Sequence, residues 1–184
     1  MNTIRTTLTC ALATALLTTG CGLQSNDLSA GVYTLRFDKT QDTCSPARPG
    51  GDLGTVRVER FGNTLFAEYP SIFTPNPVRQ SPVPQYEGMG GEATNGSGCW
   101  AGVVTRDAER LERIEEKSFE LDYRYSIEGL ANIPAGEPRP AGYPEADCEV
   151  RGRLVYTLQE VCPERCELVR DGDTLPLQTR CACP

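Results

Sequence analysis

The sequence contains no histidine among its 184 residues. Histidine is the general base of Ser-His-Asp and Cys-His catalysis, the commonest metal ligand, and the side chain that titrates near neutral pH. These catalytic arrangements, histidine metal sites and a histidine pH switch are therefore excluded. The sequence also lacks a glycine-rich phosphate loop, a nucleophile elbow and internal repeats. We therefore predict no catalytic residues, no metal and no cofactor, and a protein that is not an enzyme.

Positive charge is also scarce. The chain has 18 Lys and Arg residues against 25 Asp and Glu residues, a net charge of −7. The basic residues form no run that would create a basic patch. Binding to nucleic acid, and direct binding to anionic lipid, are therefore disfavoured.

The apolar run at residues 8–17 is too short to span a membrane, because a spanning helix needs about 20 residues. Arg5 precedes this run, and the small residues Thr18, Thr19 and Gly20 follow it. A basic residue, a short apolar stretch and small residues are the three parts of a secretory signal peptide. We therefore assign residues 1–20 to a signal peptide.

A cysteine directly follows these small residues. Leu17-Thr18-Thr19-Gly20-Cys21 resembles the lipobox of bacterial lipoproteins, although Leu17 lies one place earlier than usual and Thr18 takes its position. The resemblance implies cleavage before Cys21, attachment of diacylglyceryl and acyl chains to it, and lasting membrane attachment. It also implies a location in the cell envelope. Gly22 in place of an aspartate favours the outer membrane over the inner one, and leaves open which side the protein faces.

On this interpretation, residues 21–30 are the lipidated cysteine and a polar tether, and residues 31–184 form a single domain. The alternative is an ordinary secreted protein cut near the same point, with Cys21 left for a disulfide. Removal of residues 1–20 leaves 17 basic and 25 acidic residues, a net charge of −8.

Alternation of apolar and polar residues with a period of two predicts half-buried strands in this domain. The clearest alternation runs from Phe119 to Ile127. Further strands are expected around residues 33–37 and 150–158, and at residues 98–105. Residues 107–117 fit either a short helix, with Asp107 as its N-cap, or a strand.

Gly62-Asn63 predicts a two-residue hairpin turn, because glycine suits the first central position of a type II′ turn. The turn fixes the register of its strands, with Val58 opposite Ala67 on the inner face. The same register places Arg57 opposite Glu68 outside, as an ion pair of about 0.2–1 kcal/mol. A second hairpin is expected at residues 167–180.

Three connections rich in proline and glycine occupy residues 39–54, 70–97 and 129–147. In an up-and-down meander, alternate connections lie at the same end, so these three would crowd one rim. The predicted fold class is therefore all-β: an antiparallel meander of six to eight strands, forming a small barrel or a sandwich stapled by disulfides.

Nine cysteines are present, of which Cys10 leaves with the signal peptide and Cys21 is lipidated. In an oxidising compartment the others are disulfide candidates first. The meander places three at the long-loop end, giving one bridge and an odd thiol, and four at a C-terminal hairpin of residues 160–184. There, 162 and 166 would pair with 181 and 183 in either order. The candidates are Cys44, Cys99, Cys148, Cys162, Cys166, Cys181 and Cys183.

Other functional signals are weaker. Paired carboxylates can serve as acid and base in glycoside hydrolysis, but interleaved arginines favour a solvated surface for the glutamates of residues 109–120. Asp171-Gly172-Asp173 predicts a turn rather than a calcium site. Aromatic residues near the long loops predict a recognition rim, with burial of Trp100 in the core as the alternative. The glutamates are Glu109, Glu112, Glu115, Glu116 and Glu120, and the rim residues are Phe73, Tyr86, Trp100 and Tyr143.

The leading functional hypothesis is a membrane-anchored, non-catalytic binding module whose partner is an envelope protein or a small apolar ligand. By analogy of fold alone, it is similar to lipocalin-like carriers or barrel inhibitors of cell-wall enzymes. The alternatives are an envelope structural or assembly lipoprotein without a pocket, and a carboxylate hydrolase. A hollow apolar interior would favour the carrier, and a filled core with an aromatic rim would favour a protein partner. Two carboxylates about 5–10 Å apart in a cleft would favour the hydrolase.

Overall fold

The computed structural model describes residues 24–70, 78–96, 100–139, 143–172 and 174–184. Its strands form one large sheet of eight and a small sheet of two. Two short 3₁₀ turns lie at Ser25–Asp27 and Leu130–Asn132. The strands are β1 (Gly31–Asp42), β2 (Gly51–Phe61), β3 (Thr64–Pro70), β4 (Val78–Pro82), β5 (Gly90–Gly96), β6 (Val104–Glu115), β7 (Ser118–Glu128), β8 (Cys148–Val161), β9 (Glu167–Arg170) and β10 (Thr179–Ala182).

The large sheet is an antiparallel meander that curls into a half-barrel. Its strand order is β4-β3-β2-β1-β8-β7-β6-β5, so the first and last strands of the meander pair with each other. Within the described residues, β4 and β5 do not pair, although they are neighbours along the chain. We call the gap between these two edge strands the seam. The predicted all-β antiparallel meander is confirmed.

The core lies inside the curl. The inward residues of β7 are buried from Phe119 to Ile127, as their alternation predicted. The ring of Phe119 stacks on Tyr156 with centroids 4.4 Å apart and meets Tyr33 edge-on at 5.7 Å. Large aromatic rings therefore fill this part of the interior.

The predicted hairpin at Gly62-Asn63 is confirmed. Val58 pairs with Ala67, and Gly62 has a φ of 60°, a conformation that glycine adopts without steric cost. The ion pair predicted outside the sheet is present, but it is not solvated. Glu68 is only 1% exposed, because the small sheet of β9 and β10 covers it. Its carboxylate accepts hydrogen bonds from Arg57 at 2.6 Å and from Arg170 of β9 at 3.1 Å.

Residues of the predicted polar tether contact the rest of the chain from residue 24 onward. The Ser25 N–H donates to the Gln85 carbonyl oxygen at 3.0 Å. Leu28 is buried in the core, with only 2% of its surface exposed. The cause is the apolar side chain of Leu28, which gains more from burial than from exposure in a linker.

Three predictions are corrected. Residues 70–97 are not one loop, because β4 and β5 lie within them. The strand predicted at residues 98–105 begins only at Val104, since residues 100–102 form a turn. Residues 107–117 form no helix: all but the last two belong to β6, so Asp107 is not an N-cap.

Three disulfides staple the half-barrel, as predicted. One joins Cys44 after β1 to Cys148 at the start of β8, with Cα atoms 5.0 Å apart. The other two attach the C-terminal hairpin to the end of β8 and its following turn. They are Cys162–Cys181 and Cys166–Cys183. Cys21 and Cys99 lie outside the described residues.

Candidate functional site

A cleft of about 230 Å³ opens at the seam. Residues of β4 and the turn after it form one wall, residues of β5 form the other, and side chains from inside the half-barrel form the floor. We call this opening the seam cleft. The walls are Ser81, Pro82, Pro84, Gly91, Glu92 and Ala93, and the floor is Tyr69, Asp107 and Glu109.

Strand β6 supplies the two acidic floor residues. Asp107, Glu109 and Leu111 alternate with more exposed neighbours, so all three point into the half-barrel. Residues two apart on a strand lie on the same face, about 7 Å from each other. The strand therefore brings two carboxylates to one side of the seam cleft.

Asp107 has hydrogen-bond partners on β3, β4 and β7. Its Oδ2 accepts a hydrogen bond from the Tyr69 hydroxyl at 3.1 Å and lies 3.4 Å from Nη1 of Arg79. Asp107 is 8% exposed, and its Oδ1 is fully buried. The hydroxyl of Tyr123 is also buried, and its hydrogen bond lowers the pKa of Asp107.

The electrostatics of the floor depend on burial. Burial raises the pKa of Asp107, while the hydrogen bonds from Tyr69 and Tyr123 and the charge of Arg79 oppose that rise. Burial, together with the nearby carboxylate of Asp107, raises the pKa of Glu109 to about 7. Glu109 therefore exchanges a proton near neutral pH, and the charge of the floor changes with it.

The tyrosines around the floor remain neutral. Burial raises the pKa values of Tyr69, Tyr123 and Tyr125 above that of a free phenol. Each phenol therefore keeps its proton at physiological pH and can act as a hydrogen-bond donor. The rings of Tyr69 and Tyr123 meet edge-on at 5.9 Å, which fixes the floor from below.

The predicted recognition rim is only partly assembled. Trp100 and Tyr143 meet edge-on at 5.5 Å, and both pack against the core. Tyr86 is 44% exposed, but it lies in the β4–β5 connection, which the meander places at the opposite end. Phe73 lies outside the described residues.

The predicted solvated glutamate cluster divides in two. Glu112, Glu115 and Glu116 are exposed, whereas Glu109 is only 9% exposed and lines the seam cleft. The expectation failed for Glu109 because its segment is a strand with an inward face rather than a charged helix. Sequence reasoning also missed Tyr69, Asp107 and Arg79 as site residues. The period-two alternation of β6, extended from Leu111 towards the N-terminus, would have placed Asp107 and Glu109 on the face inside the half-barrel.

Among the described residues, no group of three or more cysteine or acidic side chains is placed to hold a metal ion. In the same part of the chain, no helix is both long and apolar enough to cross a membrane. Comparison with protein-family models, curated proteins and solved structures found no match for this chain. The candidate function therefore depends on the geometry of the seam cleft.

Proposed function

We propose that the chain is a lipid-anchored protein of the cell envelope that binds a small ligand in the seam cleft without transforming it. The observation that carries this proposal is the open cleft of about 230 Å³, whose floor has the polar side chains of Tyr69, Asp107 and Glu109. A small ligand with hydrogen-bond donors fits a cleft whose floor contains two carboxylates.

The filled core limits the size of the ligand. Stacked rings of Phe119 and Tyr156 occupy the interior beyond the floor, so a ligand reaches only the seam cleft. This arrangement supports a small polar ligand rather than the apolar cargo of a hollow barrel. The three disulfides suit an oxidising compartment outside the cytoplasm, and the membrane anchor depends on the lipobox resemblance at Cys21.

Two substitutions on β5 test the binding site. Ala93 pairs with Asp107 and shares its inward face, whereas Thr94 pairs with Arg106 on the outer face. Ala93→Trp should fill the seam cleft, and the matched control Thr94→Trp should leave it open. Protein purified from its native membranes and analysed by native mass spectrometry should carry a small-molecule adduct in the wild type and in the control. Loss of that adduct in Ala93→Trp alone supports the proposal.

Ligand binding at the seam cleft would be contradicted if the Ala93→Trp variant kept the small-molecule adduct. The absence of any adduct in the wild type would contradict it as well. Circular dichroism and resistance to proteolysis show whether both tryptophan variants are folded. Both positions lie on an exposed edge strand, so neither substitution enters the packed core.

A hydrolase is the second candidate, because Asp107 and Glu109 share one face of β6 at a spacing suited to paired carboxylates. A Glu109 pKa of about 7 also suits a general acid. The contacts of Asp107 weigh against this role, since Tyr69 and Arg79 hold one carboxylate oxygen and the other is buried. Turnover of nitrophenyl glycosides that Glu109→Gln abolishes would favour the hydrolase over the binding protein.

A further inference from the structure

We infer that the half-barrel rests on a zwitterionic lipid bilayer through the end at which β1 begins, with the side chains of Phe61 and Tyr86 at the level of the headgroups. This inference depends on the lipid anchor of the proposed function and adds the orientation of the domain on the membrane.

Several connections meet at the end of the half-barrel where β1 begins. Gly31, the first residue of β1, pairs with Val58 of β2 and with Val161 of β8. The β2–β3 turn and the last residues of β8 therefore lie at this end. The β4–β5 connection lies there too, because β4 runs antiparallel to β3 and ends beside its first half. We call this end of the half-barrel the anchor end.

The chain reaches its predicted lipid anchor from the anchor end. The Ser25 N–H donates to the carbonyl oxygen of Gln85 in the β4–β5 connection. The Arg60 guanidinium, beside the β2–β3 turn, donates to the carbonyl oxygen of Leu28. Only two residues separate Cys21 from the described chain, and three peptide units span at most about 11 Å. An acylated Cys21 would therefore hold the anchor end close to the bilayer surface.

Exposed apolar side chains lie beside this N-terminal segment. Phe61 is 59% exposed and meets the ring of Phe66 edge-on at 5.5 Å. Val161 at the end of β8 is 53% exposed, and Tyr86, next to Gln85, is 44% exposed. Large apolar side chains that are exposed at one end of a domain mark an interaction surface. Aromatic side chains are also enriched at membrane–water interfaces, so the short lipid anchor and these residues point to the same partner.

An open groove of about 520 Å³ lies beside Phe61 at the anchor end. Its described lining includes the apolar residues Pro163 and Leu168, together with three glutamates and one arginine. This excess of negative charge would be repelled by an anionic lipid surface. A zwitterionic headgroup carries no net charge and presents a positive group to the glutamates. The groove therefore fits a zwitterionic bilayer, and its glutamates are Glu59, Glu164 and Glu167.

Fluorescence quenching by brominated lipids tests the contact, because bromine on the acyl chains quenches only nearby indole rings. The chain has one tryptophan, Trp100, in the turn before β6 at the opposite end of the half-barrel. Protein purified from its native membranes is reconstituted into phosphatidylcholine vesicles with and without bromine, and the wild-type emission should be the same in both. Phe61→Trp should add emission of which brominated vesicles quench about half, because an indole ring at the headgroup level lies beside the acyl chains.

Leu175→Trp is the matched control, because Leu175 is also an exposed apolar residue but lies in the β9–β10 connection. The N–H of Leu177, two residues later, donates to the carbonyl oxygen of Leu53 near the start of β2. Phe61 lies eight residues further along β2, about 25 Å from Leu53. The emission added by Leu175→Trp should therefore not be quenched. Both replaced side chains are exposed, and circular dichroism shows whether the variants are folded.

Vesicle flotation distinguishes the possible failures. If the protein floats with the vesicles and Phe61→Trp is not quenched, the anchor is present but the inference is wrong. Equal quenching of Phe61→Trp and Leu175→Trp would also overturn it, since no particular end would then face the bilayer. If the protein does not float, the lipid anchor of the proposed function fails and the inference fails with it. Ligand binding in the seam cleft would still depend on the native mass spectrometry.

Discussion

The hydroxyl of Tyr69 donates a hydrogen bond to Oδ2 of Asp107 at 3.1 Å, and so joins β3 to β6 across the inside of the half-barrel. These two strands do not pair in the sheet, because each is the neighbour of one edge strand at the seam. The hydrogen bond therefore connects the two sides of the open seam. It also fixes the orientation of a carboxylate that is only 8% exposed.

Tyr69→Phe removes this connection while keeping the ring. We expect the free energy of unfolding to fall by about 1–3 kcal/mol, because a buried, charged acceptor loses a donor. Urea denaturation followed by fluorescence measures the change. The control is Tyr86→Phe, in an exposed turn, which should alter stability by less than about 0.5 kcal/mol. Equal effects of the two substitutions would mean that the bond across the seam adds nothing.

Glu109 should make the protein less stable as the pH rises. Burial and the carboxylate of Asp107 raise its pKa from 4.5 to about 7, opposed by hydrogen bonds from Ser81 and Tyr69. A raised pKa means that the folded state holds the proton more tightly than the unfolded state. The resulting stabilisation is complete below pH 4.5 and is lost as the pH rises to about 7, an amount of about 3 kcal/mol.

Glu109→Gln should remove that pH dependence, since glutamine does not ionise. The variant should therefore gain stability relative to the wild type between about pH 5 and pH 8, in urea melts at each pH. Glu112→Gln, at an exposed position of the same strand, should follow the wild-type curve. A parallel course of the wild type and Glu109→Gln would show that Glu109 ionises freely in the folded protein.

Period-two alternation revealed the strands whose inward residues are apolar, as in β7, and glycine at residue 62 marked a tight hairpin. The alternation did not predict the strands at the seam, for two physical reasons. Strand β5 has glycine at Gly90, Gly91 and Gly96 and no large apolar side chain, so it resembles a loop. Strand β6 places acids at inward positions 107 and 109, where the pattern expects apolar residues. The residues of the candidate site are those that depart from the alternation, because an open cleft tolerates polar side chains inside.

Arg170 should anchor the C-terminal hairpin to the outer face of the large sheet. Its guanidinium meets the buried carboxylate of Glu68 at 3.1 Å, and Arg57 meets the same carboxylate from β2. Arg170→Ala should cost about 1–2 kcal/mol, because Arg57 still partners the buried charge. Faster hydrogen exchange at the Leu177 and Thr179 amides, which contact β2, would locate the effect.

Arg180→Ala is the matched control within the same hairpin. Arg180 pairs with Asp171 at 3.1 Å, but both side chains are about half exposed. Exposed ion pairs contribute about 0–1 kcal/mol, so this substitution should leave the exchange of both amides unchanged. A similar acceleration in the two variants would indicate a general loss of charge on the hairpin rather than loss of the contact with Glu68.

The three disulfides should differ in their contributions to stability. Cys44–Cys148 closes a loop of 104 residues, whereas Cys166–Cys183 closes one of 17. Loop-closure entropy predicts about 4–5 kcal/mol for the first and about 3 kcal/mol for the second. Paired serine substitutions, compared by urea denaturation, should show this order. A larger loss from the short loop would mean that attachment of the C-terminal hairpin outweighs chain entropy.

The cysteine count now allows a sharp test of the membrane anchor. The three disulfides use six cysteines, and Cys10 lies in the predicted signal peptide, so only Cys21 and Cys99 are left. If Cys21 is acylated, Cys99 has no partner within the chain. Protein from the membrane fraction, alkylated before reduction, should then have the intact mass of a chain that starts at Cys21, with added acyl chains and one alkyl group.

An intact mass without acyl chains and without an alkyl group would instead require a Cys21–Cys99 bridge. The protein would then be secreted with four disulfides, and the lipobox resemblance would be a coincidence of small residues before a structural cysteine.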